Sequence, residues 1–110
     1  MRAFEVGELN LERERRKEAY QEFLRTPSMS CGLYVLPAGG EDPQVPHTED
    51  EVYYIVSGRG TIRVGPKDRP VRSGSVVFVR AGAKHRFHPI EEDLTVLVVF
   101  APAEGTADKR

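Results

Sequence analysis

The chain has 110 residues, 30% of them charged, and its 16 basic and 17 acidic side chains leave a formal net charge of -1. That length fits one domain with a single core burying roughly 65% of the unfolded surface, and the intermixed charges offer no basic face to nucleic acid or to an anionic membrane. The longest uninterrupted apolar run, Val96 to Ala101, is far too short for a membrane span, and the polar, acidic start is unlike a signal peptide, so a cytoplasmic protein is expected.

Phe4 and Val6 alternate with polar neighbours and suggest a short edge strand ending near Gly7. Leu11 to Arg25 is rich in good helix formers, with Asn10 as a candidate N-cap, and reads as one helix. Its apolar residues Ala19, Tyr20, Phe23 and Leu24 gather at one end, and the Arg15 to Lys17 run lies among glutamates on a solvated face. Thr26-Pro27 closes the helix, because a residue before proline is pushed out of the helical region.

From Ser30 the texture changes to short β runs punctuated by Gly and Pro. The pattern predicts strands over Ser30 to Leu36, Val52 to Ser57, Thr61 to Val64, Pro70 to Arg72, Val76 to Val79, His85 to His88 and Leu94 to Phe100. Ser57 to Gly60 and Arg72 to Ser75 carry turn chemistry. So many short strands imply an all-β sandwich or barrel. Several are apolar on both faces, which calls for a second sheet on one side and a partner subunit or the helix on the other. Ala103 to Arg110 has no apparent apolar anchor and is expected to fray.

The chemistry-bearing residues gather in two places. His47 and Glu51 stand four apart where a Pro- and Gly-rich loop enters a strand, and His85 opens another strand about thirty residues later. Two imidazoles and a carboxylate on facing strands would make a site for a divalent ion such as Fe, Mn, Ni or Zn. If Glu51 faces the barrel interior, strand parity puts Tyr53 and Ile55 beside it, and Phe87 beside His85. Gln44 joins Tyr53, Ile55 and Phe87 as a substrate-pocket candidate, Gln44 or Glu49 could supply a fourth ligand although Glu49 sits in an acidic loop and reads as solvated, and Tyr34 could turn its hydroxyl toward a ligand. His88 has the opposite parity to His85 and reads as a surface residue. Cys31, the one cysteine, permits no internal disulfide and reads as a buried, inert thiol.

These residues fall into a known pattern, and the chain resembles a small single-domain cupin of the cupin 2 conserved-barrel type. The first cupin motif, Gly-x5-His-x-His-x3 or x4-Glu-x6-Gly, is matched by Gly39, Val45, His47, Glu51 and Gly58 with every spacing kept and Val45 in place of the first His. The second, Gly-x5-Pro-x-Gly-x2-His-x3-Asn, is matched by Gly74, Gly82 and His85, with Arg80 and Pro89 replacing the Pro and the Asn. The resemblance covers roughly residues 30 to 101, leaving 1–29 as an extension and 102–110 as a tail. It implies a double-stranded β-helix, or jelly-roll barrel, with His47, Glu51 and His85 as metal ligands and nothing at Val45.

Cupin folds host many activities, so the fold does not choose among them. A metal-dependent oxygenase or isomerase acting on a small molecule, a non-catalytic small-molecule-binding module, and a structural dimer with a vestigial site all fit the sequence. A homodimer is expected, because a two-fold partner would cover the apolar outer faces.

Overall fold

The computed structural model describes residues 1–43 and 46–107. The elements are α1 (Val6–Arg16), β1 (Tyr20–Thr26), β2 (Met29–Leu36), β3 (Asp50–Val64), β4 (Lys67–Arg72), β5 (Val76–Val79) and β6 (His85–Ala101). The strands form one antiparallel sheet in the order β1-β2-β6-β3-β4, with β5 paired to the start of β3.

The N-terminal region differs from the sequence reading. There is no edge strand at Phe4; α1 begins at Val6, and Asn10 lies inside it, accepting from Arg13 rather than capping. The helix stops at Arg16 because Lys17 turns left-handed (φ 57°) and its N–H closes onto Arg13 and Glu14. Tyr20 to Thr26, expected to be helical, instead forms β1 and pairs with β2 from Tyr20↔Tyr34 to Thr26↔Met29. Propensity alone favours helix there. A hairpin closed at Pro27-Ser28 and a ready-made neighbouring strand override it, and the aromatic Tyr20 and Phe23 suit a pleated surface.

Two pairs of expected strands are each one long strand. β3 runs through Gly58 and Gly60 without turning, and β6 runs through Pro89, so the two pair from Asp50↔Ala101 to Val64↔His85. The glycines mark register shifts between Ile55 and Ile62 rather than a hairpin. These irregularities bend the β3–β6 ribbon, and both halves wrap one core. That core alternates along the strands: Tyr53, Ile55 and Ile62 from β3, Val71 from β4, Val79 from β5, and Phe87, Ile90, Leu94, Val96, Val98 and Phe100 from β6. On the outer face of β2, Cys31 and Leu33 are buried, with α1 packed against β1 and β2.

Of the tail expected to fray, residues 103–107 are held in place, and 108–110 lie outside the described residues. Ala103 is 1% exposed, the Glu104 N–H donates to Ser30 Oγ at 2.9 Å, and Arg25 donates to the Glu104 carbonyl at 3.0 Å. Buried Glu49 takes the Ala107 N–H at 3.0 Å. The anchor that sequence inspection missed is therefore mostly polar.

Candidate metal centre and pocket

Two loops are tied together so that their histidines meet. His47 precedes β3, and its carbonyl accepts the Gly82 N–H at 2.7 Å; Asp50 Oδ1 accepts the Ala81 N–H at the same distance. Gly82 has φ +77°, a conformation glycine adopts freely, so the turn before β6 can bring its backbone against the His47 loop. Glu51, the second residue of β3, lies between Phe100 of β6 and Val79 of β5 and turns inward by alternation. His85 opens β6.

One donor atom from each of His47, Glu51 and His85 lies within 4.8 Å of the others. His85 Nδ1 is 2.7 Å from the Ala83 carbonyl, which can only accept, so Nδ1 carries a proton. In the neutral ring Nε2 then presents a lone pair, with Tyr53 Oη at 3.0 Å and Glu51 Oε1 at 2.6 Å. Carboxylate and lone pair at that separation require a shared proton or a cation between them. Glu51 is 2% exposed, and its Oε2 has no hydrogen-bond partner among the described residues. A buried carboxylate so poorly satisfied, beside two imidazoles, is a donor set that fits a divalent ion.

The electrostatics agree. The Glu104 carboxylate, 3.2 Å from His47 Nε2, and then Glu51, 3.5 Å from Nδ1, push the His47 pKa up to about 10. Burial pulls His85 down, yet Glu51 and the Ala83 carbonyl outweigh it and leave its pKa raised. For Glu51 burial works upward, and the two histidines prevail and hold it below the ordinary carboxylate value. Without metal, a proton on His47 offsets the buried carboxylate charge.

Beside this group is a cavity of about 180 Å³ lined by Tyr20, Tyr34, His47, Glu51, Tyr53, Val98, Phe100 and Glu104. His47 packs on the Phe100 ring with centroids 4.8 Å apart. Of the sequence-derived pocket candidates, Tyr53 lines the cavity. Ile55 and Phe87 point inward as parity requires but belong to the apolar core, where Phe87 packs edge-on against Tyr53 at 5.1 Å. Gln44 lies outside the described residues, as does Val45. Glu49 is buried, not solvated, and latches the C-terminal segment. The Tyr34 hydroxyl donates to Asp42 at 2.8 Å. His88 is exposed, and burial pushes the Cys31 thiol pKa up, as suits an inert thiol.

Four lining residues, Tyr20, Val98, Phe100 and Glu104, escaped the sequence reading. Tyr20 was hidden by the mistaken helix. Phe100 was visible only as a strand residue, although its parity with Val98 put both on one face. Glu104 gave no signal, because its position depends on backbone contacts far apart in sequence.

The chain matches the cupin domain family over residues 32–100. An uncharacterised protein of Streptomyces coelicolor is 55% identical over 105 residues, spanning 96% of this chain and 100% of that one. Among solved structures, KdgF from a Halomonas species superposes with a TM-score of 0.69 at 19% identity, covering 76% of each chain. A Cupin 2 conserved barrel domain protein from Salinispora arenicola gives 0.65 at 22% identity, over 74% of this chain and 72% of its own. An RmlC-like cupin with a double-stranded β-helix fold from Methanocaldococcus jannaschii gives 0.69 at 22%, over 76% and 78%. These likenesses identify the bent sheet as a double-stranded β-helix. With more than half of its length matched, including β3 and β6 and the loops that lead into them, the chain belongs to the cupin family.

Proposed function

We propose that this cupin binds a divalent metal ion (Fe, Mn, Ni or Zn) through His47, Glu51 and His85 and takes a small molecule into the adjoining cavity. The observation that carries this reading is the convergence of two imidazoles on a buried carboxylate, one oxygen of which has no hydrogen-bond partner among the described residues. A bound ion would polarise a ligand oxygen in the cavity. The protein's own residues do the rest. Ala83 fixes the His85 tautomer, Glu104 engages the far nitrogen of His47, and Val98 and Phe100 form an apolar wall.

In its catalytic form the reading is an oxygenase or isomerase; in its non-catalytic form it is a binding or structural cupin. Metal analysis of protein purified without a His-tag separates them. A stoichiometric redox metal favours catalysis, and stoichiometric zinc alone favours the binding form. Titration of metal-stripped protein should show one ion per chain, with uptake lost in Glu51→Gln and His85→Ala. Folded protein that takes up none of the four ions would overturn the reading.

Assembly as a homodimer in the cytoplasm completes the proposal. The exposed apolar side chains of Tyr54, Val76 and Phe78 support the first part, and a single buried cysteine is compatible with the second.

A further inference from the structure

Three tyrosines line the cavity, and two of their hydroxyls are already engaged. Tyr34 donates to Asp42, and Tyr53 Oη lies 3.0 Å from His85 Nε2. Tyr20 differs: its hydroxyl is buried with no hydrogen-bond partner among the described residues. A buried hydroxyl left in that state carries its full desolvation cost, so it is expected to meet a water or a ligand group.

The ring is also specifically seated. It lies edge-on to Tyr34 at 5.9 Å and crosses Gly32 so closely that a Cβ there would stand 2.1 Å from Tyr20 Cζ and Oη. Gly32 does not have a positive φ, so the Tyr20 ring rather than the backbone requires a glycine at this position. Burial, followed by the Glu104 and Glu22 carboxylates, pushes the Tyr20 pKa up, and the hydroxyl remains a donor. The residue belongs to β1, ahead of the stretch that matches the family.

The other lining residues define what this donor can meet. Among the described residues no Lys or Arg lines the cavity, and the charged His47 ring is already bracketed by Glu51 and Glu104, so a ligand carboxylate would meet a surplus of negative charge. A ligand ammonium would leave the Tyr20 proton without an acceptor. Val98 and Phe100 suit a short carbon skeleton, and a cavity of about 180 Å³ limits the ligand to a small molecule. We propose that Tyr20 is a ligand-recognition residue whose hydroxyl donates to an oxygen of a short, uncharged polyol or hydroxy-carbonyl compound held beside His47, Glu51 and His85. This rests on reading the cavity as a ligand site, as above.

The test titrates glycerol and dihydroxyacetone, with lactate as the anionic comparison, into metal-treated wild type, Tyr20→Phe and Gly32→Ala, followed by ligand-observed NMR. The neutral probes should bind wild type and bind Tyr20→Phe roughly three- to tenfold more weakly. Zinc uptake by Tyr20→Phe should be unchanged, and its melting temperature should not fall, because the hydroxyl makes no protein bond to lose. Gly32→Ala should weaken probe binding as well; if it fails to fold, Tyr20→Phe carries the test alone. Equal probe affinity in wild type and Tyr20→Phe, no neutral-probe binding to wild type, or tighter binding of lactate each overturns the proposal. Tyr20-dependent probe binding by a wild type that takes up no metal would sustain it while refuting the metal reading.

Discussion

Glu104 Oε2 lies 3.2 Å from Nε2 of His47, while Glu51 Oε1 lies 3.5 Å from the other ring nitrogen. The imidazole is thus bracketed by two carboxylates, one belonging to the candidate metal group and the other arriving from the C-terminal segment. A carboxylate on the far nitrogen of a ligating histidine fixes its tautomer and orientation. Once proton competition at His47 is factored out by measuring across pH, Glu104→Ala should therefore lower the intrinsic metal affinity by about 10–100-fold, with Glu104→Gln recovering part of the loss because its amide oxygen still accepts. Competition against a chelator of known affinity measures this. Unchanged intrinsic affinity in Glu104→Ala would show that Glu104 does not orient His47.

The latch that sets Glu104 in place should be separable from Glu104 itself. Glu49 is 2% exposed and takes N–H groups from Gly105 and Ala107. Glu49→Ala removes the acceptor for both and should cost roughly 1–3 kcal/mol of stability, alongside a loss of metal affinity in the same direction as Glu104→Ala. Urea denaturation and the same chelator competition report the two effects. A variant with wild-type stability and affinity would mean that the segment is held without Glu49.

Gly58 tests whether the bend in β3 is obligatory. Its φ is +91°, and a Cβ would stand 2.0 Å from the Asp93 carbonyl oxygen, which is backbone and cannot swing away. Gly58→Ala should destabilise by roughly 2–4 kcal/mol. Gly39, at φ +73° with nothing within 4 Å of a built Cβ, isolates the backbone term alone and should cost less on the same substitution. Similar losses at the two sites in urea denaturation would refute close packing as the reason for glycine at 58.

What the sequence made legible was whatever depended on local pattern. Alternation placed Tyr53 and Ile55 on the same face as Glu51, and the spacing of Gly39, His47, Glu51, Gly58, Gly74, Gly82 and His85 brought out both the family and the group of donors. Register lay beyond it. Gly58 and Gly60 look identical in sequence whether they turn a hairpin or bulge a continuous strand, and only the long-range pairing with β6 decides between them. Tyr20 to Thr26 shows the same limit, since a segment of good helix formers became a strand because β2 offered an edge. Glu104 was out of reach for a related reason: Ser30, Arg25 and Glu49 place it, and no local pattern links those residues to it.

The outer face of the β3–β5 pair carries Tyr54, Val76 and Phe78 at 42%, 67% and 61% exposure, and Tyr54 and Val76 are direct cross-strand neighbours. A patch of this kind on a small chain is a candidate interface, and a second copy brings the same patch to it across a two-fold axis. Light scattering at micromolar concentration should give the mass of a dimer. Phe78→Lys or Val76→Lys should shift that mass to the monomer without a large loss of stability, since both positions are exposed within one chain. A monomeric wild type would rule the dimer out.

Stability should depend on pH in a way set by the same charged cluster. The Glu104 carboxylate, then Glu51, raises the His47 pKa from 6.5 to about 10 on folding. A group raised in this way contributes stability that is complete below its unfolded value and fades as pH climbs to the folded one. Glu51 is opposed by burial but held down by His47 and His85, so its contribution is complete above its ordinary 4.5 and fades as pH falls through the lowered folded value. Metal-stripped protein should therefore be most stable between about 4.5 and 6.5 and lose melting temperature steadily toward pH 10. A metal ion competes with the His47 proton, so uptake should strengthen over that same alkaline range and release protons, which calorimetry in buffers of different ionisation enthalpy detects. Glu104→Ala removes the larger cause of the raised pKa and should flatten the alkaline decline. A melting temperature that is level from about pH 6 to 10 in the stripped wild type would show that the His47 ring is not charged between its two carboxylates.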